Sequence, residues 1–187
     1  MRLMFASDIH GSAYYCEKLM ECYEKEQPEK LILLGDLLYH GPRNDLPKDY
    51  NPKEVIRMLN EKKNEILCVR GNCEAEVDQM VLEFSVMSDS LLLYVDGITI
   101  FATHGHLFNE EKLPPISDKD ILIHGHTHVQ AIRKMEQGMY LNPGSVSIPK
   151  EGNKNSYMIY ENGTFLIKSL DGEVIREWSV KRISKVL

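Results

Sequence analysis

Five short apolar runs in this chain end the same way, in glycine and polar residues: RLMFAS, KLILLG, EILCVRG, ITIFATHG and DILIHG. Each has the length of a buried strand and is too short for a core helix. Helical periodicity separates the first three. Cys16, Leu19, Met20 and Tyr23 fall at i, i+3, i+4 and i+7, and Asn51-Pro52 supplies a cap and a first-turn proline ahead of Val55, Ile56 and Leu59. Strand, helix, strand, helix, strand predicts right-handed crossovers and a largely parallel sheet at the start.

The second half changes character. LLLYVDGITIFA is two strand-like runs around Asp96-Gly97, and YMIYENGTFLIKSLDGEVIREW repeats the device at Asn162-Gly163 and Asp171-Gly172. These are hairpin signals, so antiparallel meanders are expected to follow the parallel part. No Pro-, Gly- or Ser-rich linker divides the halves, and the two HGH triplets have unrelated flanks, so neither a boundary nor a repeat is read. At 187 residues and 43% hydrophobic, the chain reads as one domain over residues 1–187. The basic tail VKRISKVL reads as a frayed terminus.

In α/β sheets the ligand sits outside the carboxyl ends of the strands, where loops from several strands converge. After the first run come Asp8 and His10; after the second, Asp36; after the third, Asn72, Cys73 and Glu74; after the fourth, His104 and His106; after the fifth, His126 and His128. Carboxylate, imidazole and one amide oxygen suit borderline divalent ions such as manganese, iron or zinc. The ligands are too many for one ion. Two ions about 3.5–4 Å apart with a bridging carboxylate would use them and would clamp the attacking and leaving oxygens of a phosphoryl displacement.

Composition narrows the class further. A formal charge of -6 and a pI near 5.7 argue against a broad cationic face, so no stable nucleic-acid partner is expected. Cys16, Cys22, Cys68 and Cys73 show no zinc-ribbon or C-x-x-C spacing and read as reduced thiols of a cytoplasmic protein. The opening apolar run stops at Asp8, well short of a signal-peptide core, and no stretch approaches the ~20 residues of a membrane span. Leu91 to Tyr94 and the C-terminal hairpins leave apolar strand faces that predict a homo-oligomer.

SDIHG, GDLLYHG, RGNCE, THGH and GHTH, in this order and spacing, resemble the five motifs of the calcineurin-like metallophosphoesterases. The resemblance runs from Asp8 to about Trp178. HGPRN, GNCEAEVDQM, THGHLF and NPGSVSIPK are similar to a branch of small bacterial phosphodiesterases, the YfcE-like branch. It implies an α/β sandwich of two packed mixed sheets flanked by helices, the α/β/β/α arrangement. It further implies that Asp8, His10, Asp36 and His128 hold one metal and Asp36, Asn72, His104 and His126 the other, with Asp36 bridging. The cofactors implied are two divalent ions, manganese foremost, with iron, zinc, nickel or magnesium as alternatives.

Each residue has a plainer reading. Asp8-His10 alone is a turn, Gly35-Asp36 alone a cap, and Asn72 after Gly71 an ordinary loop asparagine; only their joint placement favours ligation. His124 precedes the Gly125 turn and is assigned packing or hydrogen bonding. His106 and His40 are candidate substrate contacts or imidazoles that orient a ligand. Arg43 is a surface arginine or, by the resemblance, a phosphate contact.

Cys73 departs from the family, many of whose members carry histidine here to protonate the leaving oxygen. Near two cations a thiolate is expected, a poor acid, so general-acid help of about 10²–10⁴-fold is missing. Substrates with acidic leaving alcohols would suffer least, which favours phosphodiesters over monoesters. The reading is thus a phosphodiesterase acting on a small diester by in-line attack of a metal-bridging hydroxide, with Asp36, Asn72, Cys73 and His106 in the catalytic set. The alternatives are a phosphomonoesterase acting on nucleotides or proteins, and a non-catalytic scaffold of the same fold.

Overall fold

The structure, a computed structural model, describes residues 1–180; the basic tail beyond Val180, on which the expectation of fraying falls, lies outside the described residues. The first half runs β1 (Arg2–Ala6), α1 (Ala13–Glu26), β2 (Lys30–Leu33), α2 (Pro52–Asn60), β3 (Ile66–Cys68) and the short α3 (Glu76–Gln79). It continues through β4 (Ser90–Val95), β5 (Ile98–Thr103), β6 (Ile121–Ile123), β7 (Ala131–Lys134) and β8 (Met139–Asn142) to β9 (Ser156–Glu161), β10 (Thr164–Ser169) and β11 (Val174–Ser179). Ser12 caps α1 by accepting the Tyr15 N–H at 3.3 Å. Asn51 stands at the cap of α2 but makes no side-chain capping bond, so Pro52 is the effective start signal there.

Two mixed sheets result. The first is ordered β11-β10-β9-β1-β2-β3 and the second β4-β5-β6-β8-β7. β1, β2 and β3 pair in parallel, as the crossovers demand. Alternation along β1 divides the core. Met4 and Ala6 face α1 and α2 with Cys16, Leu19, Val55 and Leu59. Leu3 and Phe5 face the second sheet with Ile100, Ile121, Ile123 and Leu141. Against the outer face of the second sheet lies irregular chain between β5 and β6, where Phe108 sits edge-on to Phe101 at 5.7 Å.

The three expected hairpins form. Asp96-Gly97 and Asn162-Gly163 have positive φ at both turn residues, as two-residue turns of this hand require. The expected antiparallel meander needs correction in the second sheet, where β5, β6 and β8 are parallel neighbours. The excursion over residues 104–120 carries the chain back to the start of the sheet, so β6 enters in the same direction as β5. The hairpin of β7 and β8 has no strong sequence signal, because AIRK and MYLN are only four residues each and AIRK is half polar.

Candidate metal centre at the strand ends

The loops that follow β1 and β2 are laced together by their backbones. Asp8 N–H donates to Gly35 O at 3.1 Å, His10 N–H to Asp36 O at 2.9 Å and Gly11 N–H to Leu37 O at 2.8 Å. Tight reversals there put Asp8, His10 and Asp36 at φ of 59°, 50° and 55°, and His126 and His128 at 65° and 62°. Of the ten non-glycine residues with positive φ among the described residues, five are therefore candidate ligands. Such backbone costs about 1–3 kcal/mol per residue and persists where the surroundings enforce it. Two glycines permit the crowding: a Cβ on Gly71 would lie 2.1 Å from Asp36 Oδ1, and one on Gly125 1.9 Å from Ser7 Oγ.

The side chains gather in two lobes. In one, Asp8 Oδ1 lies 3.5 Å from His10 Nε2 and 3.3 Å from His128 Nε2. In the other, His104 Nε2 lies 3.0 Å from Asn72 Oδ1 and 3.1 Å from His126 Nδ1. Asp36 stands between them. Its Oδ2 is 3.7 Å from His10 Nε2 and its Oδ1 is 3.5 Å from His104 Nε2. Asp8, His10, Asp36 and Asn72 come from the strand ends of the first sheet, and His104, His126 and His128 from those of the second.

These donors fit divalent metal ions. His10, His104 and His128 each direct Nδ1 at a backbone carbonyl, of Tyr39, Leu34 and Ile148 respectively, all at 2.7 Å. Nδ1–H donation there leaves Nε2 as the free lone pair, the arrangement that orients a ligating imidazole. Two such atoms, on His10 and His128, then face each other at 3.3 Å in a buried site. Asp8 Oδ1 beside them is buried with no hydrogen-bond partner. Bare acceptors converging out of water are costly unless a cation satisfies them.

The charge distribution points the same way. Burial pushes the Asp8 carboxyl up, but His10 and His128 overcome it and hold it well below the usual carboxylate range. Burial likewise opposes a proton on His10, and Asp8 prevails and raises it. The field that draws that proton draws a metal ion in its place. Burial, aided by His104, drives His126 down to about 4 and keeps it in the neutral, ligating form.

Cys73 donates twice to Asp36, from N–H to Oδ1 at 2.9 Å and from Sγ to Oδ2 at 3.2 Å. Burial and then the Asp36 charge push the thiol up. Glu74 is a role the sequence reading misses. Its buried carboxylate accepts the N–H groups of Asp36 at 2.9 Å, Leu37 at 2.7 Å and Gly71 at 2.5 Å, fastening the loops after β2 and β3. Ser145 and Ser147 are missed as well; their hydroxyls donate to Asp8 O at 2.8 and 3.0 Å.

A cleft of about 430 Å³ opens over the centre, walled by Arg43, Asn44, Asn72, Cys73, Thr127 and Lys150. Lys150, unremarked in the sequence, is placed there by its N–H donation to His128 O at 3.1 Å. Arg43 and Lys150 have no carboxylate within ion-pair distance among the described residues. The His106 ring lies 5.4 Å from that of His104 and 6.4 Å from that of His126, with Nδ1 buried and unpartnered. Burial, and next the His104 charge, lower its proton affinity. His40 does not line the cleft; it packs edge-on between Tyr39 and Tyr50 at 4.8 and 5.3 Å. His124 stacks on Tyr140 at 4.4 Å, in the packing role assigned to it.

Two mixed sheets carrying such a donor set at their strand ends define a metallophosphoesterase. The chain belongs to the calcineurin-like phosphoesterase superfamily, whose domain matches residues 1–164, and it is a metal-dependent phosphoric ester hydrolase. It is 43% identical over 175 residues to phosphodiesterase YfcE of Escherichia coli K12, covering 94% of this chain and 95% of that protein. The solved structure of the E. coli phosphoesterase YfcE superposes with a TM-score of 0.94 at 42% identity, over 96% of this chain and 100% of the other. Vacuolar protein sorting 29 from Cryptosporidium parvum, 16% identical, shares the fold with a TM-score of 0.62 over 96% and 98% of the two chains.

Proposed function

We propose that the protein hydrolyses small phosphodiesters at a dinuclear centre. Asp8, His10, Asp36 and His128 hold one divalent ion, and Asp36, Asn72, His104 and His126 the other. The observation that carries this reading is the stance of Asp36, one carboxylate oxygen toward each imidazole lobe. Bound ions supply an activated water and neutralise phosphoryl charge. Asp36 stands between the two lobes, burial keeps His126 in its neutral form, and the buried lobes exclude bulk water.

Arg43 at the cleft rim and His106 beside the second lobe are the contacts for the diester's non-bridging oxygens and leaving group, with His40 supporting the loop that carries Arg43. The diester, as against a monoester, is supported by the 43% identity to a phosphodiesterase and by a wall that carries a thiol at Cys73 rather than imidazole. Manganese is the metal we assign, on the mixed oxygen and nitrogen donors. Among the described residues no helix is long and apolar enough to cross a membrane. The free cysteines support a reducing compartment, which we take to be the cytoplasm.

Asp36→Asn tests the reading. The variant is expected to fold, to lose bound metal and to lose hydrolysis of bis-nitrophenyl phosphate by about 10³-fold or more, while wild type cleaves this diester faster than nitrophenyl phosphate. An Asp36→Asn protein that keeps most of its metal and activity would show the assignment to be wrong.

A further inference from the structure

One imidazole of the IHGHTH run, His124, serves neither lobe, yet it is buried with 1% of its surface exposed. Its ring lies on Tyr140 and also meets the Gly105 backbone, where a Cβ would come within 2.7 Å of Nδ1. His124 Nε2 meets Glu110 Oε2 at 2.8 Å, and the second Glu110 oxygen is held by Arg133. Asn109 closes the intervening turn by donating from Nδ2 to Gly105 O at 3.1 Å. Gly125 N–H, next in the chain to His124, donates to His104 O at 2.9 Å. The loop bearing His104 and His106 is therefore fastened, through His124, to the strand end that presents His126.

We infer that Glu110 is a positioning residue: its carboxylate, held on the buried His124, fixes the turn that carries His106 beside the metal centre. His106 needs such a brace. Its Nδ1 makes no hydrogen bond, so apart from ring contacts with His104 and His126 the course of the turn sets where the ring stands. Between residues 104 and 120 there is no helix or strand to supply that rigidity. The inference rests on the proposed hydrolytic site and on a substrate-facing His106. A plainer role, in which Glu110 merely stabilises the loop, predicts different kinetics.

The test compares Glu110→Ala, Glu110→Gln, His106→Ala and the double variant Glu110→Ala/His106→Ala in the full chain loaded with manganese, reading kcat and KM for bis-nitrophenyl phosphate and metal per chain. Glu110→Ala is expected to lower kcat about 10–100-fold with metal content retained, the usual scale for losing an orienting partner. Glu110→Gln should recover most of the rate, because its amide oxygen still accepts from His124. The double variant should be no slower than His106→Ala, since both changes remove the same contribution. Full activity in Glu110→Ala, a loss that adds in full to that of His106→Ala, a loss that tracks departing metal, or a silent His106→Ala would each overturn the inference. If Glu110→Ala fails to fold, Glu110→Asp, which withdraws the carboxylate by one methylene, enters the same cycle with the same expectations. Asp36→Asn keeps the two questions apart: its inactivity leaves the hydrolytic centre standing even where the cycle fails.

Discussion

Sulfur stands on the cleft wall at Cys73, with Sγ 3.2 Å from Asp36 Oδ2, and the thiol has no imidazole's capacity to deliver a proton at neutral pH. Cys73→His should therefore help in proportion to how poorly the leaving alcohol departs. Alkyl and ribose diesters are expected to gain up to about 10²-fold, and nitrophenyl diesters, whose leaving group departs as an anion, to change little. Rates on both substrate classes for wild type, Cys73→His and Cys73→Ser decide it; a uniform fall in the histidine variant with serine unchanged would mean that Cys73 only packs. At this scale the candidate ligands are legible in sequence because each follows an apolar run into glycine and polar residues, so its address at a strand end comes with its chemistry. Glu74, Ser145, Ser147 and Glu110 are not. Their partners are backbone groups and an imidazole brought in from other loops, and no local pattern announces those. The left-handed φ at five candidate ligands is likewise invisible in one dimension, although Asp and His are residue types that tolerate it.

Among the elements, helix starts and hairpins declare themselves through Ser12, Pro52 and the Asp-Gly and Asn-Gly pairs, since the signal and the structure occupy the same few residues. Strand neighbours do not. The parallel order β5-β6-β8 depends on a long return path, and Ile121–Ile123 carries no mark of whether it enters from one end or the other. The same sheet bears on assembly. β4 forms one edge of it, and Ser90–Val95 contains no charge, no proline and no bulge against β5. Leu92 and Tyr94 are 69% and 78% exposed on this strand. Edges of monomers are usually blunted by the features missing here, so we propose that β4 supports the homo-oligomer expected from the sequence. Light scattering at micromolar concentration is expected to give more than one chain per particle for wild type and a single chain for Leu92→Lys; a monomeric wild type would remove the proposal.

The molecule as a whole consists of two sheets whose shared core, built on Leu3, Phe5, Ile100, Ile123 and Leu141, is closed at one end by the ligand loops. Four of those ligands belong to the first sheet and three to the second. Any ion shared by Asp36 and His104, or by Asp8 and His128, is thus a tie across the sandwich, and its binding free energy becomes resistance to pulling the sheets apart. At a free metal concentration a hundred times the dissociation constant, that linkage is worth about 2.7 kcal/mol for one site. For a chain of this size it corresponds to a melting temperature about 5–10 °C higher with metal than after chelation. The gain should be absent in Asp36→Asn, and amide exchange on chelation should quicken first at the ends of β5 and β6, while α1 and α2, packed on the far side of the first sheet, keep their protection. Loading would then be a maturation step, after which the two sheets separate only once the metal has left.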